Sequence, residues 1–323
     1  MFSFAFDAAE QARDVVPVAD IFYQALHVPV APGVTVHVQR IHGPLPGPPV
    51  LLLHGSLGNG RVFYAKSGKG LAPFLARQGF DTYSVDLRGR GGSRPKVSRR
   101  ADYGQTEALL EDLPAACAAV KQMNGAYPRF WVAHSWGGAM LMSFLARFPA
   151  LRSHLAAAVF FGSKRVIRRD SLGKKLILNL GFDTLGSLLA RVVGYLHGRH
   201  LGFGDDAESK KFYRQTRSWL RGAPWIDSDD GYDYLQRLQA ISPLPVLHFT
   251  GVRDRVMAEA GDIRRFMVEY GGRDSELRVL SRDAGNHKDY GHIDILTEPA
   301  AVDDHFPQVV AWFKRWDQGG NHR

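Results

Sequence analysis

Apolar residues recur along the chain with two alternating periods. Val34 to Ile41 alternates apolar and polar side chains and is rich in β-branched residues, which predicts a strand. Pro49 to Leu53 is a continuous apolar run that ends at His54-Gly55, the pattern of a strand buried on both faces of a parallel sheet. Leu71, Phe74 and Leu75 then repeat at helical spacing until Gly79. Asp81 to Leu87 reads as the next strand, followed by the glycine-rich turn Arg88 to Ser93. Leu109, Leu110, Leu113, Ala116 and Val120 form one stripe of a helix over Glu107 to Met123. Arg129 to His134 predicts a strand, Gly137 to Phe148 a helix and Leu155 to Phe161 another strand. Regular alternation of this kind implies a mostly parallel sheet with helices on both faces.

The alternation lapses over residues 163–240, where helical signals appear without a clear strand. It resumes with Pro245 to Thr250 as a strand, Met257 to Tyr270 as a helix, Glu276 to Leu280 as a strand and Phe306 to Trp316 as a closing helix. The expected organisation is therefore a core made of 1–162 and 241–323, interrupted by a helical insertion at 163–240. The tail Asp317 to Arg323 is expected to fray.

Composition narrows the functional classes. Of the 323 residues, 45% are hydrophobic and 23% charged, as in a globular protein. Cys117 is the single cysteine, so no disulfide framework forms within the chain, and its alanine-rich helical setting predicts a small buried hydrophobe. The acidic N-terminal stretch with Asp7, Glu10 and Asp14 does not read as a secretory signal. The apolar run Leu176 to Leu196 is interrupted by Asp183, Arg191 and glycines and reads as a poor membrane span. A cytoplasmic protein without integral membrane association is expected.

The formal net charge is +9, and 163–222 holds 13 Lys or Arg against 5 Asp or Glu. Either this is a solvated helical surface, or Lys164, Arg165, Arg168, Arg169, Lys174 and Lys175 rim a site for an anionic substrate or an anionic bilayer. No nucleic-acid reader motif or set of stacking aromatics accompanies the charge, so nucleic acid is not an expected partner. No metal-ligand spacing and no dinucleotide-type glycine loop is present, so neither metal nor cofactor is expected.

The sharpest chemical signal is Val132-Ala133-His134-Ser135-Trp136-Gly137-Gly138, at the junction of a strand and a helix. A serine on so sharp a turn needs small neighbours two positions away on each side, here Ala133 and Gly137. With Leu51-Leu52-Leu53-His54-Gly55 and Asp86-Leu87-Arg88-Gly89-Arg90-Gly91-Gly92-Ser93, in this order and spacing, the chain resembles the α/β-hydrolase superfamily. Alanine stands at Ala133 where the usual pattern has glycine. The resemblance covers roughly 34–162 and 241–316 and implies an eight-stranded, mostly parallel sheet, with a helical cap (lid) at 163–240.

The same resemblance implies a triad in the order serine, acid, histidine. Ser135 is then the nucleophile. Asp254, in Gly251-Val252-Arg253-Asp254, is the acid. His292, in Tyr290-Gly291-His292-Ile293-Asp294, is preferred over His287 as the base. The backbone N–H groups of Ser56 and Trp136 are the expected oxyanion donors. Leu57 and His134 beside these groups, with Leu176 and Phe182 in the insertion, are the expected substrate contacts. The other insertion leucines, among them Leu178, Leu180, Leu185, Leu188 and Leu189, either line an acyl pocket or pack the insertion onto the core.

The expected activity is hydrolysis of a carboxylic ester or thioester, possessing or lacking a negative charge, through an acyl-enzyme on Ser135. An acyltransferase or a C–C bond hydrolase on the same triad is the alternative, and a non-catalytic binding module the third reading. Relatives that use an aspartate nucleophile are disfavoured by Ser135.

Overall fold

Strand and helix alternate in space as they do along the sequence. The structure, a computed structural model, describes residues 15–201 and 204–318. The acidic N-terminal stretch and all but the first residues of the 317–323 tail lie outside them. One sheet organises the core, in the order β1-β2-β3-β5-β4-β6-β7-β10-β11. Its strands are β1 (Val15–Val18), β2 (Ile21–Ala31), β3 (Val34–His42), β4 (Pro49–Leu53), β5 (Asp81–Asp86), β6 (Phe130–His134), β7 (Ala157–Phe161), β10 (Val246–Gly251) and β11 (Glu276–Leu280). The first three form an antiparallel meander onto β5, and the remaining contacts are parallel. The sheet has nine strands where eight were expected, because the short edge strand β1 folds back on β2.

Every residue of β4, β6 and β7 is buried, as continuous apolar runs require when helices cover both faces. One face packs against Leu113–Asn124, Trp136–Arg147 and Ala260–Glu269; the other packs against Leu71–Arg77 and Phe306–Gln318. Each large apolar side chain buried this way stabilises the fold by roughly 1.5–3 kcal/mol. Cys117 is buried within the first cluster, and burial pushes its thiol pKa far up. The helix before Asn124 begins earlier than its stripe suggests, at Gln105, and passes through a π-helical turn at Ala108–Asp112.

Between β7 and β10 the chain leaves the main sheet. This insert is mostly helical, but it also contains a small antiparallel ribbon of β8 (Tyr195–His197) and β9 (Ala207–Ser209), which the sequence did not announce. Leu172–Val193 runs as one helix of 22 residues, with an 18-residue window of mean hydropathy 1.5, long and apolar enough to cross a membrane by length and composition. Its glycines therefore do not break it. Its centre, Leu176–Leu185, is π-helical.

Candidate active site

Open parallel sheets place ligand sites beyond the carboxyl ends of their strands, and the predicted residues gather there. Ser135 follows β6 directly, with φ 53° and ψ −119°, in the left-handed half of the map that a side chain rarely occupies. The turn is held by the Ser135 N–H donating to the Phe161 carbonyl at 2.8 Å. A Cβ at Gly137 would stand 2.4 Å from the Leu53 carbonyl oxygen, and one at Gly138 would stand 2.5 Å from Ser163 Cβ. These two positions therefore need glycine, whereas Ala133 fits with its methyl buried.

Asp254 stands just beyond β10 and His292 on the loop after β11. His292 Nε2 lies 2.9 Å from Ser135 Oγ, and its Nδ1 lies 2.5 Å from Asp254 Oδ2. The other oxygen of Asp254 accepts the N–H groups of Met257 (3.1 Å) and Ala258 (2.9 Å), which fixes the carboxylate. Burial pushes the Asp254 carboxyl up, but His292, Lys164 and the Ala258 N–H outweigh it and hold its pKa below 3.8. Three side chains from distant parts of the chain thus meet in one hydrogen-bonded line. His287, the other candidate base, is exposed, and its backbone N–H donates to Asp304.

His134 lines the same cavity and also braces the line. Its Nε2 donates to the His292 carbonyl at 2.9 Å, and burial lowers its pKa to about 3, so it stays neutral. His54 is buried and structural: Nδ1 donates to the Gly55 carbonyl at 2.8 Å, and Nε2 accepts the Leu87 N–H at 3.3 Å.

Among the described residues, the backbone N–H groups of Ser56 and Trp136 have no protein acceptor. That of Trp136 opens the helix Trp136–Arg147, where the helix dipole favours negative charge. The Ser56 loop is clasped from the insert. Glu208 Oε1 accepts Ser56 Oγ (2.6 Å), the Leu57 N–H (2.8 Å) and Arg90 Nη2 (2.8 Å). The Asp206 N–H donates to the Leu57 carbonyl at 3.0 Å. Leu57 itself has φ 56°, a strained setting that this clasp over-determines. The sequence did not single out Glu208, Asp206 or Arg90 for this role.

A cavity of about 750 Å³ opens over Ser135 and His292. Leu57 and Phe182 line it, and so do Thr216 and Leu220 from the insert. Leu176 does not: it is 60% exposed and lies outside the cavity wall. Leu180, Leu185 and Leu188 also face outward, while Leu178 is buried in the core cluster. Among the described residues, no group of three His, Cys, Asp or Glu side chains is arranged to hold a metal ion.

Of the six basic residues expected at the mouth, five lie outside the cavity wall, three of them in ion pairs. Arg165 pairs with Glu269, and Lys174 with Asp170 and Glu259. Arg169, Arg217 and Arg221 converge on the buried Asp183. Arg168 and Lys175 are exposed and outside the cavity wall. Lys164 is the exception. It lines the cavity with its ammonium 3.1 Å from Ser135 Oγ, and it is 1% exposed.

Residues 49–284 match the model of the family described as serine aminopeptidase, S33. No curated protein sequence matches the chain. Among solved structures, the chain is similar to a putative aryl esterase from Burkholderia cenocepacia, at 20% identity and TM-score 0.55, over 90% of this chain and 99% of that one. It is also similar to a thermophilic esterase from Thermogutta terrifontis, at 16% identity and TM-score 0.53, over 91% and 98%. A thioesterase domain from the curacin biosynthetic pathway aligns at 16% identity and TM-score 0.52, over 89% and 99%. At such identities the structural likeness speaks for the fold, and the family model for kinship. The chain belongs to the serine aminopeptidase S33 family and is a hydrolase of the α/β-hydrolase fold.

Proposed function

We propose that this protein is a serine hydrolase that cleaves a carboxylic ester or thioester through an acyl-enzyme on Ser135. The observation that carries this reading is the hydrogen-bonded line from Ser135 Oγ through His292 to Asp254, opening into a cavity beside two unpaired N–H donors. His292 takes the Ser135 proton as the oxygen attacks the acyl carbon. Asp254 holds the imidazole with Nε2 toward serine and stabilises the imidazolium that forms. The oxyanion rests on the Ser56 and Trp136 N–H groups. His292 then protonates the departing alkoxide or thiolate, and water repeats the sequence to free the acid.

In this reading the 163–240 insert serves as the cap, since Phe182, Thr216 and Leu220 supply part of the cavity wall. Charge favours an ester or thioester over the peptide substrate that the family description suggests. An aminopeptidase must receive a free ammonium near the scissile bond, and the Lys164 ammonium beside Ser135 would repel it.

The test is labelling with a fluorophosphonate together with turnover of p-nitrophenyl esters of graded chain length. Wild type should label and turn over. Ser135→Ala should lose labelling and about 10⁴- to 10⁶-fold in kcat. Labelling that persists in Ser135→Ala defeats the reading.

A further inference from the structure

Lys164 follows β7 by three residues and lines the cavity. Among the described residues, Ser135 Oγ is its one hydrogen-bond acceptor, and no carboxylate lies within ion-pair distance. An ammonium carries three donors, so two have no protein partner. Neither nearby acid pairs with it. Asp254 is engaged by His292, Met257 and Ala258; Asp262 Oδ1 accepts the Arg168 N–H at 3.2 Å and pairs with Arg265, while its buried Oδ2 has no hydrogen-bond partner among the described residues. A buried cation with spare donors is costly unless something of opposite charge completes it. The space beside it is the substrate cavity.

We infer that Lys164 is a specificity-determining residue that binds a carboxylate on the acyl part of the substrate. The substrate class is then half-esters or half-thioesters of short dicarboxylic acids. The inference rests on Ser135 being the nucleophile, as proposed above. Ser135 Oγ becomes the ester oxygen of the acyl-enzyme, so a group on the acyl chain stays within reach of Lys164 through both half-reactions. A charge on the leaving group departs after the first.

The pH dependence follows from the groups that face Lys164: His134 and Ser135 at the end of β6, Asp254 and Asp262, and His292. Burial lowers the Lys164 pKa to about 8 against the opposing pull of Asp254 and Asp262. His134 is already neutral, with a pKa near 3. Preference for an anionic acyl group should therefore be full below pH 8 and decline above it. Taking the ratio of two substrates at each pH cancels every pH effect that the two share.

The experiment compares three probes: mono-p-nitrophenyl succinate, with the charge on the acyl side; p-nitrophenyl butyrate, neutral; and 4-acetoxybenzoate, with the charge on the leaving group. In wild type, kcat/KM for the succinate should exceed that for the butyrate below pH 8. In Lys164→Met and Lys164→Gln that ratio should fall roughly 10- to 100-fold, chiefly through KM, the loss of one charge-assisted hydrogen bond. The ratio of 4-acetoxybenzoate to p-nitrophenyl acetate should not follow it. An unchanged succinate-to-butyrate ratio in both variants, or an effect confined to 4-acetoxybenzoate, overturns the assignment. Should neither variant fold, a wild-type ratio that is flat from pH 6 to 10 overturns it equally. Fluorophosphonate labelling separates the two failures: wild type that labels without discriminating loses only the Lys164 assignment, whereas wild type that does not label loses the serine mechanism.

Discussion

In the main sheet, Leu51, Leu53, Val132 and Val159 are fully buried. In the insert, Leu176, Leu180 and Leu188 stand in solvent, while Leu178 and Phe182, on the same helix, are buried. The residue types are alike and their fates differ because the surroundings differ. A sheet covered on both faces leaves no outward side for an apolar residue to take. A helix covered on one face leaves much of its circumference open. Charge divides the same way. The insert spends half of its arginines and lysines on ion pairs that fasten it together and to the core, such as Arg165 with Glu269.

The contrast can be broken at several points. The largest effect is expected at Leu51, where Leu51→Ala should cost about 2–5 kcal/mol in urea unfolding. A loss under about 1 kcal/mol would mean that the sheet is looser than its burial implies.

Lys164, at the seam between the two regions, should respond in the opposite direction. Its folded-state pKa near 8 lies below the ordinary 10.5, so the unfolded chain holds the proton more tightly. Below pH 8 both states are protonated and the whole cost of burying the ammonium stands. Between pH 8 and 10.5 the unfolded state binds more protons, and wild-type stability rises with pH. Lys164→Met should therefore be more stable than wild type by up to about 3 kcal/mol at pH 7, with the gap closing by pH 10.5. A gap independent of pH would show that packing, not charge, sets it.

Next comes Glu208→Gln, which keeps the shape of the clasp and weakens its acceptor. About a 10-fold loss in kcat with little change in KM is expected, the mark of a group that positions the oxyanion donors. A change confined to KM would assign Glu208 to the cavity wall alone. The smallest effect belongs to Leu176→Ala, within about 0.5 kcal/mol in thermal unfolding. A core-like loss there would mean that this face is covered in solution.

These differences also mark what could be read from the sequence. The apolar runs before His54 and Ser135 reported their strands because nothing but a doubly covered strand needs five such residues in a row. Ser135 was legible because a strained turn demands Gly137 and small neighbours, and the positions of Asp254 and His292 follow from strand ends shared with relatives. Lys164 was visible only as the first of a basic run, since a cation aimed at a buried serine hydroxyl and one aimed at solvent look alike in one dimension. Glu208 lies more than 150 residues from the loop that it clasps, and no local pattern reports such a pairing. Leu176 was misassigned because a leucine in an apolar run looks the same whether it faces the cavity or solvent, and here it is exposed.

The three hydrogen bonds gathered by Glu208 Oε1 tie the shape of the entrance to the readiness of the chemistry. If the insert swings outward to admit a bulky ligand, that carboxylate travels with it, and Leu57, bent against its own preference, is free to relax. An ajar enzyme would then be a disarmed one, with the attacking oxygen in place but its charge receptor dissolved until the door shuts again.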